Sequence, residues 1–391
     1  MVVLKVLTLN CWGIEVPIVC KYRHQRMQAI GDLLSNGEYD ILFLQEVWSN
    51  SDYKLLCDKL GRSLPYSHYF HSGAIGSGLC IFSKFSIVET LFHRFQINGF
   101  PHKIQHGDWF GGKGVGLCKI QIEDFDINLY ISHLHAEYSR RNDVYLSHRI
   151  SQSFELSQFI KHTSQNCHVT IFGGDLNLQT DDLGYKIITS TALLADAWIT
   201  KKSTKTEKGF TCDRKENYFT SATDYPDGQR IDYLLYRYNN GYNVSVEECN
   251  VLYHQVPGQC YPISDHEPVV ANFTIDKSPN SKGFDESITQ VGRNQHLQDA
   301  LEKLDTGMKE IRNDRMFFSI LCVIMIVLVF IIPSCEYYSI LTMLLSLTEV
   351  VLVLGAGFSV IYGLVIKLSE ENSLYSTKCD ILNLLGKPIK H

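Results

Sequence analysis

Short hydrophobic runs, bounded by glycine, proline and polar residues, recur along the first 275 residues and predict buried β-strands. The predicted strands cover residues 3–10, 40–48, 66–70, 77–83, 87–95, 115–122, 125–132, 168–175, 230–236 and 269–275. Apolar residues spaced three and four apart predict helices near residues 27–37, 51–60 and 145–162, with a mixture of helix and strand over 184–199. This alternation indicates one domain with α and β layers over residues 1–276, ending where Ser, Pro, Asn and Lys cluster.

A different pattern follows this domain. Large apolar residues recur at helical spacing and predict an amphipathic helix within a linker of residues 277–315. These residues are Leu297, Leu301, Leu304, Met308 and Ile311. Two apolar runs, 316–333 and 339–368, are each long enough to cross a bilayer. We therefore predict a transmembrane hairpin over residues 316–368 and a tail of residues 369–391.

Basic residues flank both ends of the predicted hairpin, whereas its connecting turn has none, so both termini are predicted to be cytosolic. The flanking residues are Lys303, Lys309, Arg312 and Arg315 on one side and Lys367, Lys378, Lys387 and Lys390 on the other. Gly355, Ser359 and Gly363 recur every fourth residue, which predicts a face small enough for close helix packing, including oligomer formation. Glu349 is either a functional acid within the membrane or a residue near its interface.

Composition narrows the class of protein. The 391 residues are 45% hydrophobic, which predicts a substantial core. Their formal net charge of -6 gives no overall basic field, so nucleic acid is not an expected partner. The 12 cysteines show no metal-ligand spacing, and the first residues do not form a secretory signal, so reduced thiols in the cytosol are expected.

Candidate chemistry concentrates where strands end. A buried strand over residues 168–175 carries Gly173 and Gly174, which we expect to turn the chain sharply and to present Asp175 and Asn177 together. Similar polar groups at other strand ends are Asn10, Glu46, His133, Asp232, Asp265 and His266. Asp232 lies among apolar neighbours, so its burial requires a cationic or hydrogen-donating partner. A glycine-rich loop, residues 100–116, would let backbone N–H groups and Lys113 approach a phosphate, although a flexible hairpin loop has the same composition.

The ordered motifs L-x-x-N, Q-E-V, H-x-H, G-D-x-N, R-I-D-Y and S-D-H-x-P resemble those of the endonuclease/exonuclease/phosphatase superfamily, which has the DNase I-like fold. Within it, the segment from His106 to Phe110, Lys113-Gly114 and the C-terminal hairpin resemble the neutral sphingomyelinases. The resemblance implies an α+β sandwich, with two packed mixed β-sheets flanked by helices and an active site at one edge. It also implies Mg²⁺ as cofactor and a location in the endoplasmic reticulum or another intracellular membrane.

Phosphodiester chemistry gives these residues distinct expected roles. Hard oxygen ligands suit Mg²⁺, so Glu46 is the first expected ligand, with Asn10 and Asp265 as partners. His266 is the expected general base, and Asp232 would orient its ring. The remaining candidates act on the water or the substrate: Asp175 would polarise the water, and Asn177 and His133 would donate to the phosphate or leaving group, with His135 as a weaker substitute for His133. The resemblance further implies that Asp108 and Lys113 lie near the substrate.

The leading functional hypothesis is therefore hydrolysis of membrane sphingomyelin to ceramide and phosphocholine. Phospholipase C action on a choline lysophospholipid, such as lyso-platelet-activating factor, uses the same headgroup and remains an alternative. A nuclease is a further alternative, but it would require a basic groove for several phosphates, and the net charge of -6 and the predicted hairpin argue against it. A non-catalytic membrane scaffold would be expected to lack Glu46, Asn177 or His266, and the sequence contains all three.

Overall fold

The computed structural model describes residues 1–202, 208–220, 224–284, 286–331 and 339–389. Its strands are β1 (Val2–Asn10), β2 (Ile41–Gln45), β3 (Tyr66–Tyr69), β4 (Cys80–Ser83), β5 (Ile87–Arg94), β6 (Gly114–Ile122), β7 (Phe125–His133), β8 (Val169–Asp175), β9 (Ala195–Asp196), β10 (Asp232–Tyr238), β11 (Tyr242–Val251) and β12 (Val269–Lys277). Its helices are α1 (Arg23–Leu34), α2 (Asn50–Leu60), α3 (Leu146–Thr163), α4 (Leu183–Ala192), α5 (Ala197–Thr200), α6 (Glu286–Ile331), α7 (Ser339–Val360) and α8 (Lys367–Leu384). The chain forms two compact units, Met1–Leu297 and the residues from Gln298 onward.

The first unit contains two six-stranded mixed sheets. One has the order β11-β12-β1-β2-β4-β3, and the other has the order β5-β6-β7-β8-β10-β9. β1 and β2 run parallel near the centre of the first sheet, as do β7 and β8 in the second. Because parallel neighbours end at the same edge, each sheet gathers several strand ends there.

Three hydrophobic clusters fix the order of layers. The inner cluster joins the facing sides of the two sheets and includes Phe43 and Ile171. A second cluster packs α1 and α2 on the first sheet, and a third packs α3 and α4 on the second sheet. The layers are thus helix, sheet, sheet and helix, which confirms the predicted α+β sandwich.

Two local expectations were wrong. Gly173 and Gly174 do not form a turn but lie within β8. A Cβ added at Gly173 would lie 2.3 Å from the Phe43 ring, and one added at Gly174 would lie 2.3 Å from the Ser132 carbonyl oxygen. Close packing between layers, rather than a turn, therefore requires these glycines. The strand β11 was not predicted from the sequence, although it pairs with β12 along nearly its full length.

Two helices are long and apolar enough to cross a membrane, Gln290–Ile331 and Met343–Leu384. The most apolar 18-residue windows have mean hydropathies of 2.5 and 2.2. A π-helical segment, Ile361–Ile366, joins α7 to α8. The predicted turn between the two apolar runs, residues 334–338, lies outside the described residues.

The small residues of α7 and the segment after it face the preceding helix. A Cβ at Gly355 would lie 2.9 Å from the Met325 sulfur, and one at Gly363 would lie 3.1 Å from the Phe318 Cβ. This face therefore serves contact inside the hairpin, as the close-packing prediction requires. Its use in an oligomer stays a prediction.

The segment predicted as a tail forms α8 and is joined to α6 by ion pairs. Lys378 pairs with Asp305, and Glu371 accepts hydrogen bonds from Arg312 (2.6 Å) and Arg315 (2.5 Å). Leu304, Leu374 and Ile381 are fully buried in this unit. The described tail is thus an ordered helix that continues the hairpin.

Candidate active site

A cavity of about 900 Å³ opens at the edge of the first unit where the central parallel strands end. We call it the site pocket. Its lining includes the predicted residues Glu46, Asp108, Lys113, His133, Asp175, Asn177 and His266. Groups separated by more than 200 positions in the sequence therefore meet at one opening.

Strand register brings three of these groups to one level of the second sheet. His133 is the partner of Asp175 across parallel β7 and β8, and Asp175 is the partner of Asp232 across antiparallel β8 and β10. His133 Nε2 lies 3.4 Å from Asp175 Oδ2. Asp175 and Asp232 are almost completely buried. The sheet therefore holds two carboxylates side by side in a poorly solvated position.

Asp232 and His266 form a hydrogen-bonded pair, as the sequence predicted. The Nδ1 of His266 lies 2.8 Å from Asp232 Oδ2, and its Nε2 lies 4.0 Å from Asp175 Oδ2. Burial by itself would lower the pKa of His266, but the Asp232 carboxylate, and then the nearby Cys212, raise this pKa well above its ordinary value. The ring therefore presents Nε2 toward the pocket while Asp232 fixes its orientation.

Asn10 connects the carboxylates of the two sheets. Its Nδ2 group donates to Glu46 Oε1 at 3.1 Å and to Asp175 Oδ2 at 3.0 Å. Its Oδ1 accepts the Trp12 N–H at 2.9 Å. Asn10 thus positions Glu46 and Asp175 relative to each other. Glu46 follows β2 in a left-handed conformation with φ of 57°, which turns the chain directly beyond the strand end.

The charges of the site fit a divalent cation. Burial, and then the neighbouring Asp232, raise the pKa of Asp175 to about 7. Desolvation raises the pKa of Asp265 to about 6, to which the nearby Glu46 contributes. Carboxylates gathered with so little compensating charge, all of them hard oxygen donors, form a suitable environment for Mg²⁺ or a similar ion.

A second arrangement of possible ligands is also close in space. Single ligand atoms of Asp175, Asp232 and His266 lie within 4.8 Å of one another. The 2.8 Å contact between Asp232 and His266 is a hydrogen bond, however, and a cation would have to replace its proton. The predicted ligands Glu46, Asn10 and Asp265 offer oxygen atoms, and of these three residues Glu46 lines the pocket.

Lys113 and Asp108 form a buried ion pair beside the same groups. Lys113 Nζ lies 2.5 Å from Asp108 Oδ1, 3.2 Å from His133 Nε2 and 2.9 Å from the Leu134 carbonyl oxygen. Burial opposes ionisation of Asp108, but Lys113 outweighs it and lowers the Asp108 pKa. Because an ammonium group can only donate, Nε2 of His133 accepts here. Lys113 therefore lines the pocket with its N–H donors directed to Asp108, His133 and Leu134.

Two further predicted donors have defined partners. Asn177 Nδ2 donates to the Leu134 carbonyl oxygen at 3.1 Å, and the residue adopts a left-handed φ of 48° after β8. His135 is completely buried, with Nδ1 at 2.8 Å from the Ala136 carbonyl oxygen and its ring packed 4.0 Å from Tyr145. Asn177 lines the pocket, whereas His135 supports the wall behind it.

Comparison with known proteins agrees with this geometry. The profile of the Endonuclease/Exonuclease/phosphatase family matches residues 7–266. Human sphingomyelin phosphodiesterase 2 is 36% identical over 393 residues, covering 98% of this chain and 92% of the human protein. The chain belongs to the neutral sphingomyelinase branch of this family. It is therefore an enzyme of the phosphodiesterase type, and the resemblance found in its sequence motifs is confirmed.

Other relatives of this neutral sphingomyelinase-type chain extend the comparison. The inositol phosphosphingolipids phospholipase C of Schizosaccharomyces pombe is 37% identical over 255 residues, covering 60% of each chain. The crystal structure of beta toxin from Staphylococcus aureus, a mutant with bound magnesium ions, superposes with a TM-score of 0.52 at 20% identity. It covers 69% of this chain and 99% of the toxin. At this identity the toxin supports the fold assignment.

Arg26 is a site-supporting residue that sequence reasoning missed. Its side chain is fully buried, and of the described residues none contributes a carboxylate ion pair to it. Instead it donates to the carbonyl oxygens of Cys11 (3.0 Å), Trp12 (2.7 Å) and Ile263 (3.1 Å). These carbonyls lie in the loops that carry Asn10 and the Asp265-His266 pair. Arg26 thus ties together two strand-end loops from opposite ends of the domain sequence.

Substitution of Arg26 by alanine should destabilise the catalytic unit by about 3 kcal/mol or more, because several buried carbonyl groups lose a charged donor. In a unit of this size, the apparent melting temperature should fall by about 6 °C or more. Thermal unfolding of the full-length protein in detergent measures this change. Arg62→Ala, which removes an exposed arginine, is the matched control. Equal melting temperatures for the two variants would contradict the proposed support role.

Proposed function

We propose that this enzyme hydrolyses sphingomyelin to ceramide and phosphocholine at a membrane surface, with Mg²⁺ as its cation and His266 as general base. The observation that carries the proposal is the convergence of Glu46, Asp175 and His266 on one pocket, with Asn10 hydrogen bonded to the first two. Similarity to human sphingomyelin phosphodiesterase 2 over 98% of the chain supports the choice of substrate.

The cation would be held by Glu46 and Asp265, with Asn10 keeping Glu46 beside Asp175. When bound, Mg²⁺ neutralises charge on a phosphate oxygen and makes the phosphorus easier to attack. The remaining work is done by protein groups. Lys113 supplies fixed positive charge near the phosphate, and Asn177 directs an amide toward the same space.

The neutral form of His266, populated above its raised pKa, would take the proton of the attacking water through Nε2. This assignment is supported by the Nδ1 hydrogen bond to Asp232, which leaves Nε2 facing the pocket and stabilises the imidazolium after proton transfer. Asp175, 4.0 Å from Nε2, would orient the water between the two side chains. The oxygen of the ceramide leaves when the new P–O bond forms, and ceramide takes up a proton.

The hairpin would confine the enzyme to the membrane that contains its substrate. Two helices of sufficient length and the asymmetry of basic residues support a hairpin with both termini in the cytosol, in the endoplasmic reticulum or another intracellular membrane. Confinement raises the effective concentration of lipid without altering the chemical step.

Purified full-length enzyme in detergent micelles should release phosphocholine from sphingomyelin faster than from lysophosphatidylcholine or lyso-platelet-activating factor. Removal of divalent ions with EDTA should lower this rate about 100-fold or more, and added Mg²⁺ should restore it. An inositol phosphosphingolipid and plasmid DNA complete the substrate panel. Preferred cleavage of a lysophospholipid would replace the proposed substrate, and full activity in EDTA would exclude the proposed cation.

A further inference from the structure

An apolar segment stays exposed to solvent beside the mouth of the site pocket. Val16, Pro17, Ile18 and Val19 are consecutive and all exposed, and Ile18 exposes 91% of its surface. Val16 also lines the pocket. Scattered exposed apolar residues are ordinary, but a run of four has no stabilising role in water and indicates a contact surface.

Two neighbouring loops add apolar groups around the same mouth. The Ala74 N–H donates to the Phe110 carbonyl oxygen at 3.2 Å, and the Gly112 N–H donates to that of Gly76 at 2.8 Å, so loops 72–76 and 104–112 are joined. Within the second loop, the Gly107 N–H donates to the Ile104 carbonyl oxygen at 3.1 Å. Both loops line the site pocket together with Val16. We define the apolar rim as the exposed residues Val16, Ile18, Val19, Ile75, Ile104 and Trp109.

The segment that carries Ile18 is held firmly by the domain. The N–H groups of Val19 and Cys20 donate to the Val16 carbonyl oxygen at 3.0 and 2.9 Å, forming a compact turn. The Cys20 thiol donates to the Trp12 carbonyl oxygen at 2.8 Å, and Arg26 Nε donates to that of Lys21 at 2.9 Å. The buried Arg26 therefore fixes the end of the turn, which presents Ile18 outward.

We propose that the apolar rim inserts into the interfacial layer of the bilayer and places the mouth of the pocket over the headgroup of a membrane lipid. This inference rests on the proposed function, in which the substrate enters from a bilayer. A protein or a second copy of the chain seated on the rim would cover the pocket and exclude substrate. A bilayer instead supplies substrate through the same opening that the rim surrounds.

The apolar rim would insert only into the interfacial layer of the bilayer and would not act as a second membrane anchor. Its side chains are aliphatic or aromatic and come from separate short loops, so each can enter the layer between headgroups and acyl chains while the loop backbone stays hydrated. The hairpin keeps the enzyme on the membrane, whereas the rim sets the orientation of the pocket. Loss of the rim should therefore impair attack on lipids in a bilayer and spare attack on dissolved ones.

Ile18→Asp and Ile104→Asp test this inference because neither residue lines the pocket. Full-length variants are reconstituted into vesicles of phosphatidylcholine with a minor fraction of sphingomyelin. The double variant should show kcat/KM reduced about tenfold or more on this substrate, because aspartate prevents apolar insertion. With a short-chain sphingomyelin below its critical micelle concentration, kcat/KM should stay within about twofold of the original enzyme. Val88→Asp, at a 68% exposed residue of β5, is the matched control and should leave both rates unchanged.

A measurement independent of activity uses a reporter at the same position. Ile18→Trp should add fluorescence that lipids with brominated acyl chains quench, whereas Val88→Trp should add fluorescence that they do not. Three outcomes would each overturn the inference. The first is absence of quenching at residue 18, and the second is an equal loss of kcat/KM on vesicles and on dissolved substrate. The third is a lower oligomer mass for Ile18→Asp in detergent with unchanged activity on vesicles. If the original enzyme cleaves no choline lipid, the proposed function fails, and quenching still decides whether the rim inserts.

Discussion

Replacement of His266 by alanine is expected to lower the rate of sphingomyelin hydrolysis about 10³-fold, the usual scale of general acid-base catalysis. The imidazole is the group whose Nε2 faces the site pocket, and Asp232 holds its other nitrogen at 2.8 Å. Initial rates of phosphocholine release at saturating Mg²⁺ measure the effect. Circular dichroism and isothermal titration with Mg²⁺ show in parallel that the fold and the cation site persist.

His162→Ala is the control for this substitution, because His162 is exposed on α3 and hydrogen bonds to Gln158 of the same helix. Its rate should equal that of the unmodified enzyme. If His266→Ala keeps more than about a tenth of the original rate while Mg²⁺ binds normally, another group accepts the proton of the water. Asp175 would then be the first candidate, since it lies 4.0 Å from His266 Nε2.

Glu46→Gln is expected to lower Mg²⁺ affinity and the hydrolysis rate at low Mg²⁺ by about 100-fold or more, since removal of even an indirect support of a cation costs about 10- to 100-fold. Glutamine preserves the shape and can still accept the hydrogen bond that Asn10 donates to Glu46 Oε1. The change therefore isolates the negative charge. Titration of activity and of binding heat against Mg²⁺ should shift together, with partial recovery at high concentration.

Glu15→Gln supplies a matched comparison, because Glu15 is an exposed acid that lines the same pocket. It should leave Mg²⁺ affinity unchanged. A Glu46→Gln enzyme with normal Mg²⁺ affinity but reduced rate would remove Glu46 from the set of ligands. The close group of Asp175, Asp232 and His266 would then become the preferred cation site.

Much of the site could be predicted because it depends on strand ends. Hydrophobic runs locate β1, β2, β7 and β8, and the parallel pairs bring their carboxyl ends to a common edge. A buried Asp232 requires a hydrogen-bonding partner, and this requirement was predicted from the sequence. The structure shows that the partner is His266. The order of the motifs along the chain, through its resemblance to a known superfamily, then predicted the fold.

Other features depend on contacts that no local pattern records. Arg26 lies on a helix whose sequence shows no functional motif. Its partners are backbone carbonyl groups, which every residue has, so the sequence gives no sign of these contacts. Cys212 gives no metal-like or catalytic spacing, although the structure places it beside His266. Such roles follow only from the three-dimensional packing of distant segments.

The missed strand β11 and the misread glycines have simple physical explanations. A register shift between Val246 and Glu248 moves the inward side chains from even to odd positions, so Val244 and Val246 are buried before it and Cys249 after it. This shift breaks the two-residue period that identifies a strand. A glycine in the sequence is compatible both with a turn and with a strand that has no room for a side chain. Gly173 is the second case, because the Phe43 ring fills the space beside it.

The ion pairs between α6 and α8 have a consequence for how the hairpin is aligned. Lipid-facing leucine, valine and isoleucine side chains make similar contacts after one helix slides along another, so they define the vertical match of two such helices weakly. Lys367 with Asp314, Arg315 with Glu371 and Lys378 with Asp305 form a ladder of specific pairs between α6 and α8. A slip of one helical turn would break every rung at once, and the ladder thereby sets the alignment of the two candidate membrane spans.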